Sequence, residues 1–387
     1  MQPVVRISRH GAERLDAGHV WVYASDVADR GHAAPGDVVR VADGRGRPLG
    51  VAHFSSTSQI TLRLLARRPE TIDASFWRAR IEAAAQLRRR VVASSDAYRL
   101  VHSEGDLLPG LIIDRYGGWF VIQTLTQGMD RAKDQVAACL AELFSPAGIV
   151  ERNDAPVRAK ESLPLNVGIL RGEVTERITI SMNGLRLEAD LLRGQKTGVF
   201  LDQRENYLAA ARHARGAALD CFTSSGGFAL HIAGRCERVE AVDSSEAALA
   251  QARRNAQQNA VDNVHFRQAD VFELLAGFKT SSRRFSTIVL DPPAFTRSRA
   301  NLDGAVRGYK DINLRAIQLL DPGGILITCS CSHHMPEARL IEAVAAASLD
   351  AGRTVRVLER RTQSADHPIL LTVPETCYLK CLILEVL

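Results

Sequence analysis

The chain has 387 residues, 46% hydrophobic and 24% charged, which is enough apolar material for two or three domains with full cores. No run of eighteen apolar residues occurs, and the start Met1-Gln2-Pro3-Val4-Val5-Arg6 lacks an apolar stretch, so neither a membrane span nor a secretory signal is expected. The net charge of +5 is uneven: residues 1–100 hold sixteen arginines, no lysine and ten acids, which points either to a polyanion partner or to an arginine-rich solvated surface.

Residues 1 to about 70 read as short strands separated by turn chemistry. The candidates are 20–23, 38–41 entered through Pro35-Gly36-Asp37, 49–54 and 60–65, with Asp43-Gly44-Arg45-Gly46 as a tight turn. Such spacing predicts a small β-barrel or sandwich. A helix follows over 74–92, with Phe76, Ile81, Ala84, Ala85, Leu87 and Val91 to one side and Arg78, Arg80, Arg88, Arg89 and Arg90 left for water or phosphate. Strands at 98–101, 111–114 and 119–125, a helix at 131–144 and a strand at 148–152 complete an α+β unit, and 153–175 reads as irregular. A hairpin is predicted at 178–182 and 185–191 around Asn183-Gly184.

From about 195 strands and helices alternate, with strands at 217–221, 238–242, 263–267, 286–290 and 324–329, the pattern of a doubly wound parallel sheet. Two last strands, 354–360 and 377–386, have no full helix between them. They predict an antiparallel close to the sheet, which suits a class I methyltransferase better than a dehydrogenase. Domain boundaries are expected at 1–70, 71–180 and 181–387. The seven cysteines form no regular framework, so reduced thiols and a cytoplasmic location are expected.

The stretch from Gly216 to Asp243 organises the last domain. An apolar run ends at Asp220-Cys221, a loop of small residues follows (Phe222, Thr223, Ser224, Ser225, Gly226), and a second strand ends at Asp243-Ser244. This is a βαβ unit with a ligand loop at the carboxyl end of its first strand. Asp243 is suited to ribose hydroxyls. The loop lacks a three-glycine turn tailored to pyrophosphate, and Asp220 would welcome a cation, so S-adenosylmethionine fits better than NAD. After the third strand, Asp270-Val271 offers an acceptor for the adenine amine, an N-cap for the next helix, or both.

The fourth strand ends in Asp291-Pro292-Pro293-Ala294-Phe295. The prolines stiffen the loop and remove competing donors, Asp291 can accept from an exocyclic amine, and Phe295 can stack on a base or fill the core. The fifth strand ends in Thr328-Cys329-Ser330-Cys331-Ser332-His333-His334, which admits three readings. They are a metal site, disfavoured because adjacent strand positions splay apart; buried structural thiols, which suits Cys329; or Cys331 as a nucleophile with His333 lowering its pKa. No metal is expected. Gln203, Arg204 and Lys196, in the polar segment 194–204, could close over the cofactor and touch substrate phosphate, and Tyr309-Lys310 form a basic and aromatic patch.

Six motifs occur in one order: G-x-K-T-G-x-F-L-D-Q-R at 194–204, C-F-x-x-x-G-G-F at 221–228, D-P-P-x-F at 291–295, R-G-Y-K-D-I-N at 307–313, S-C-S at 330–332 and A-D-H-P at 365–368. Together they closely resemble the bacterial 23S ribosomal RNA large-subunit methyltransferases of the I type, which make 5-methylcytosine, and the resemblance covers essentially the whole chain. It implies a PUA RNA-binding barrel (Trp21-Val22-Tyr23, Pro35-Gly36-Asp37), a central α+β domain and a Rossmann-like catalytic domain. It places the cofactor loop on Cys221 to Gly227, the ribose acid on Asp243, the adenine-side acid on Asp270 and the catalytic cysteine on Cys331, and it adds His367 of the A-D-H-P motif to the substrate residues. The chain departs from the family pattern at Ala294, where lysine is frequent, at Cys329, where an aromatic is common, and at His333-His334.

The expected activity is therefore S-adenosylmethionine-dependent methylation of cytosine C5 in ribosomal RNA, with Asp291 and Phe295 holding the base and Cys331 adding to C6. A homodimer is possible. The rivals are a guanine-N7 or other nitrogen methyltransferase of the same fold, which needs no thiol, and a non-catalytic PUA-type assembly factor.

Overall fold

The computed structural model describes residues 2–194, 196–280, 283–295 and 301–387, with backbone alone at 279 and 280. They fall into two compact units: Met1–Ser181 with Ala189–Val199 and Ala365–Thr376, and Met182–Glu188 with Phe200–Ser364 and Cys377–Leu387. Among the described residues no helix is long and apolar enough to cross a membrane.

The first unit opens with a six-stranded sheet of β1 (Val4–Ile7), β2 (Trp21–Tyr23), β3 (Val27–Asp29), β4 (Val38–Ala42), β5 (Pro48–Phe54) and β6 (Ile60–Ala66), in the order β2-β6-β5-β4-β1-β3. Val5, Ile7, Val22, Val41, Phe54 and Leu62 form its core. Helix α1 (Arg9–Asp16), which strand periodicity does not reveal, is set by its N-cap, where Ser8 Oγ accepts from Gly11 N.

A second core lies between two helices, α2 (Ala74–Val91) and α3 (Gln127–Phe144), and a five-stranded sheet. Its strands β7 (Ala97–His102), β8 (Leu111–Tyr116), β9 (Trp119–Thr124), β10 (Gly148–Asn153) and β11 (Asn166–Gly172) run in the order β11-β10-β9-β8-β7. Three expectations are corrected here. α3 begins one turn earlier than 131, because Thr126 caps it by accepting from Met129 N. The segment read as irregular contains β11, antiparallel to β10, whose largely exposed residues carry no burial period. Arg88 is not left for water: it is buried, ion-paired with Asp106, and donates to the carbonyls of Arg99 and Asp366. Arg89 and Arg90 remain exposed.

The Asn183-Gly184 hairpin forms as read, pairing β12 (Ile178–Met182) with β13 (Leu185–Ala189). Helix α4 (Arg204–His213) then leads into seven strands: β14 (Gly216–Cys221), β15 (Cys236–Asp243), β16 (Val264–Gln268), β17 (Phe285–Leu290), β18 (Leu320–Ser330), β19 (Val355–Arg361) and β20 (Lys380–Val386). Their order is β16-β15-β14-β17-β18-β20-β19. The first five are parallel, and β20 is antiparallel to both its neighbours. The crossovers are α5 (Gly227–Ala233), α6 (Glu246–Gln258), α7 (Val271–Thr280), α8 (Leu302–Leu319) and α9 (Glu337–Asp350). Leu219, Val242, Ile288, Leu326 and Leu384 pack against α7, α8 and α9 as one core. Burial of each such side chain contributes about 1.5–3 kcal/mol. Strand order reverses between β14 and β17, so the loops after β14, β17 and β18 share the carboxyl edge where such sheets bind ligands.

Candidate active site

The loop after β14 is held in a conformation that costs backbone energy. Phe222 (φ 64°), Ser224 (φ 50°) and Gly226 (φ 87°) all have positive φ, which for the two non-glycine residues persists only where surrounding contacts enforce it. Those contacts are present. Thr223 N donates to Val242 O (3.0 Å), Ser224 N to Asp243 Oδ2 (2.9 Å), and Asn255 Nδ2 to Ser225 O (3.0 Å). Asp243 also takes Ser245 N on Oδ1 (2.9 Å). The acid that ends β15 thus fixes the loop after β14, and Ser244 stands exposed beside it. At the start of α5, a Cβ on Gly227 would lie 2.5 Å from the Tyr207 hydroxyl and ring. Gly227→Ala is expected to cost about 1–3 kcal/mol by overpacking, measured as a lowered denaturation midpoint.

Asp220 is fully buried at the end of β14. Its Oδ2 accepts from Thr223 Oγ1 (2.6 Å) and Ala229 N (2.9 Å), while Oδ1 has no hydrogen-bond partner among the described residues. Burial pushes its carboxyl up to about 7, with the Asp291 and Asp243 charges adding to the rise. A carboxyl raised in the folded state binds more protons there than in the unfolded chain, whose value is about 3.9, so its contribution to stability is complete below about pH 4 and is lost as pH rises to about 7. Wild type should therefore lose stability relative to Asp220→Asn across that window, by up to about 4 kcal/mol, in chemical denaturation at successive pH values. Cys221 beside it is buried, and desolvation raises its thiol well above the usual range, so it is a packing residue.

The second loop is tied to the segment before α4. Gln203 Nε2 donates to Asp291 Oδ2 (3.0 Å), and Gln203 Oε1 accepts from Asn206 Nδ2 (2.8 Å). Ring contacts run Phe222–Phe272–Phe295–Tyr309, with centroids 6.4, 6.0 and 4.6 Å apart. Phe295 is half-buried in this row. Tyr309 is wholly buried, and its hydroxyl faces those of Ser330 and Ser332 without closing a hydrogen bond. Burial pushes that hydroxyl up to about 12.

The third loop separates the two thiols that the sequence left side by side. Cys329 is buried opposite Cys381, and burial together with that neighbour raises its thiol well above the usual range. Cys331, past the last hydrogen-bonded pair of the strand, is partly exposed. His333 does not supply a cation beside it: although exposed, its ring stacks on Tyr378 (5.3 Å, 28°), and the local desolvation of that packing, Lys380 and His334 lower its pKa. Lys380, which sequence reasoning passed over, is only 6% exposed, and its Nζ donates to Ser332 O (2.7 Å) and Tyr378 O (2.9 Å). A lone lysine at the head of the apolar run Cys381–Ile383 was the available signal, because lysine is rarely buried without partners.

Asp270 stays at the carboxyl edge, after β16, and the remaining expected site residues lie elsewhere. Asp270 caps α7 by accepting from Glu273 N (3.0 Å), and its neighbour Val271 is buried in the core. Lys310 Nζ is paired with Asp350 (2.7 Å) at the C-terminus of α9, the helix end remote from the carboxyl edge. Arg204 is buried and contacts Glu205 (3.3 Å). Lys196 and His367 belong to the first unit. Lys196 is exposed there, next to Thr197, which donates to Asp114 Oδ2 (2.6 Å). His367 is buried against the His102 ring (5.1 Å). Gln195 lies outside the described residues. Among the described residues no group of three or more His, Cys, Asp or Glu could hold a metal ion.

Residues 5–67 match a PUA-like domain, and residues 159–382 match the S-adenosylmethionine-dependent methyltransferases. Proteins named ribosomal RNA large subunit methyltransferase I are similar over nearly all of the chain. The one from Tolumonas auensis is 40% identical, covering 100% of both chains, and the one from Shewanella amazonensis is 42% identical, covering 96% of both. The chain belongs to the ribosomal RNA large subunit methyltransferase I family. Its cofactor is S-adenosylmethionine. A solved chain described as a methyltransferase complexed with SAH superposes with a TM-score of 0.87 at 18% identity, covering 99% of this chain and 100% of that one. A SAM-dependent methyltransferase from Streptococcus mutans superposes with a TM-score of 0.85 at 18% identity, with the same coverage. These two establish the fold. The carboxyl edge of this family member suits a cationic nucleoside: Asp220 keeps one buried oxygen without a hydrogen-bond partner among the described residues, Asp243 and Asp270 offer acceptors, and the glycines at 226 and 227 permit close backbone approach.

Proposed function

We propose that the protein methylates C5 of a cytosine in large-subunit ribosomal RNA, through a transient bond between Cys331 and C6 of the base. The observation that carries this reading is Cys331 itself, a partly exposed thiol at the carboxyl end of β18, the strand paired with the one that Asp291 follows. Ribosomal RNA as substrate rests on the relatives' names, the PUA-like match at 5–67 and the basic character of residues 1–100. The three-part division at about 70 and 180 is proposed with it, supported by the separate cores of the two sheets in the first unit. Arg89, Arg90 and Lys196 are among its exposed cations offered to phosphate.

S-adenosylmethionine supplies an electrophilic methyl group on sulfur. When bound, it would be held by Asp243 at its ribose hydroxyls and by Asp270 at its adenine amine, with Asp220 as the acid nearest the end of β14 to balance its positive charge. The loop from Phe222 to Gly226 shapes the cleft, and Gln203 orients Asp291. Carbon-5 of cytosine is a weak nucleophile until a thiolate adds to C6. The Cys331 Sγ–C6 bond would form, moving electron density to C5, which would then take the methyl group as the S–CH3 bond breaks and the demethylated cofactor is released. Transfer of the C5 proton to water would then let the C6–S bond break, with the electron pair leaving on the Cys331 thiolate and the ring restored. Asp291 accepts from the cytosine amine, and Phe295 supports the unstacked base.

RNA carrying 5-fluorocytosine has no C5 proton to lose and should leave a denaturant-stable protein–RNA adduct that maps to Cys331. Full methylation of the normal RNA with no adduct from the fluorinated RNA would sink the thiol mechanism.

A further inference from the structure

We propose that Lys380 is the cation that holds Cys331 as a thiolate before the base arrives, a positioning residue acting through the thiol rather than on substrate; this rests on Cys331 as the attacking group. The antiparallel register sets Lys380 directly opposite Ser330, one residue before the thiol. Its Nζ donates to the carbonyl of Ser332, one residue after it (2.7 Å), and to that of Tyr378 (2.9 Å). The ammonium therefore reaches the carbonyl of the residue that follows Cys331, and at 6% exposure it is poorly screened by solvent. A buried lysine is costly unless it has partners, and its two hydrogen-bond acceptors are neutral carbonyls, with no carboxylate in ion-pair contact among the described residues.

The groups facing Lys380 make the thiol its natural partner. Glu337, on α9, is ion-paired with Arg360 of β19 (2.6 Å). The Tyr378 hydroxyl is engaged with Asp202 (2.8 Å). His333, exposed and stacked on the Tyr378 ring, is held toward its neutral form by the local desolvation of that packing and by Lys380. Cys377 is the other half-buried thiol nearby, and its thiol is raised overall by burial. Burial lowers the Lys380 pKa, while negative charge on Cys377, Cys331 and Glu337 opposes that fall. A thiolate at Cys331 thus stabilises the ammonium, and by reciprocity the ammonium stabilises the thiolate. The thiol proton passes to solvent, and Lys380 keeps its own.

The test is the pH dependence of Cys331 alkylation by iodoacetamide, read by peptide mass mapping in the full-length protein without RNA. Wild type should show a midpoint below the ordinary thiol value of about 8.5. Lys380→Met should raise it by about one pH unit or more, as expected for removing a nearby opposite charge. Lys380→Arg should stay near wild type, and Lys380→Gln, which can still donate hydrogen bonds, should follow Lys380→Met. A wild-type midpoint at or above that of an ordinary thiol overturns the proposal even if no variant folds. A Lys380→Gln midpoint equal to wild type overturns it in favour of a purely structural clamp. Failure of the nucleophile reading would register separately, as turnover surviving Cys331→Ala.

Discussion

Replacing Cys331 with alanine is expected to reduce methyl transfer by about 10,000-fold or more while S-adenosylmethionine affinity stays within about threefold of wild type. The large loss follows from removing a nucleophile whose step no other group supplies. The small binding change follows from the architecture. Cys331 lies past the hydrogen-bonded end of β18 and is partly exposed, whereas the loop expected to hold the cofactor is fixed by Asp243, Asn255 and Val242. Truncating a partly exposed side chain should also leave stability within about 1 kcal/mol. Cys329→Ala should do the opposite, lowering the denaturation midpoint through lost packing against Cys381 while turnover of the folded enzyme survives. Single-turnover kinetics with calorimetric cofactor binding separate the two variants. Loss of cofactor binding in Cys331→Ala would assign that thiol a structural part instead.

Asp243→Ala should weaken S-adenosylmethionine binding by about 100-fold or more. Two hydroxyl donors to a carboxylate contribute about 1.5–3 kcal/mol each, and 1.4 kcal/mol is tenfold in affinity. A further loss comes from the loop itself, because the same carboxylate accepts from Ser224 N and Ser245 N. Without it, the loop loses one of the contacts that hold Ser224 at positive φ. Asp243→Asn retains an acceptor oxygen and should fall between the two. Calorimetric titration with the demethylated product, which avoids turnover, checks the order. An Asp243→Ala variant that binds as tightly as wild type would move the ribose contact to another residue.

The catalytic unit was largely legible in the amino-acid sequence because its determinants are local. Apolar runs ending in small residues mark β14 and its loop, the paired prolines mark the end of β17, and strands without an intervening helix mark the antiparallel close. What stayed hidden depends on partners far along the chain. Arg88 reads as one of five solvent-facing arginines until Asp106 and the Asp366 carbonyl are brought to it. The A-D-H-P motif invites a substrate role, yet Asp366 accepts from Arg99 N (2.8 Å) and His367 packs on His102. Lys310 looks available until α9 delivers Asp350. Lys380 is the converse, an unremarked strand lysine that register places opposite Ser330. Strand β11 escaped because it is a largely exposed edge strand whose apolar Val167 and Ile169 face water, so apolar positions do not mark its covered side.

The measurement that bears most directly on this account is incubation of the protein with labelled S-adenosylmethionine and unmodified large-subunit ribosomal RNA, followed by nucleoside mass analysis. Label in 5-methylcytosine is the expected result. Label in a methylated guanine would keep the fold and cofactor but contradict the thiol mechanism, and no label in any nucleoside would favour an RNA-binding factor that does not catalyse.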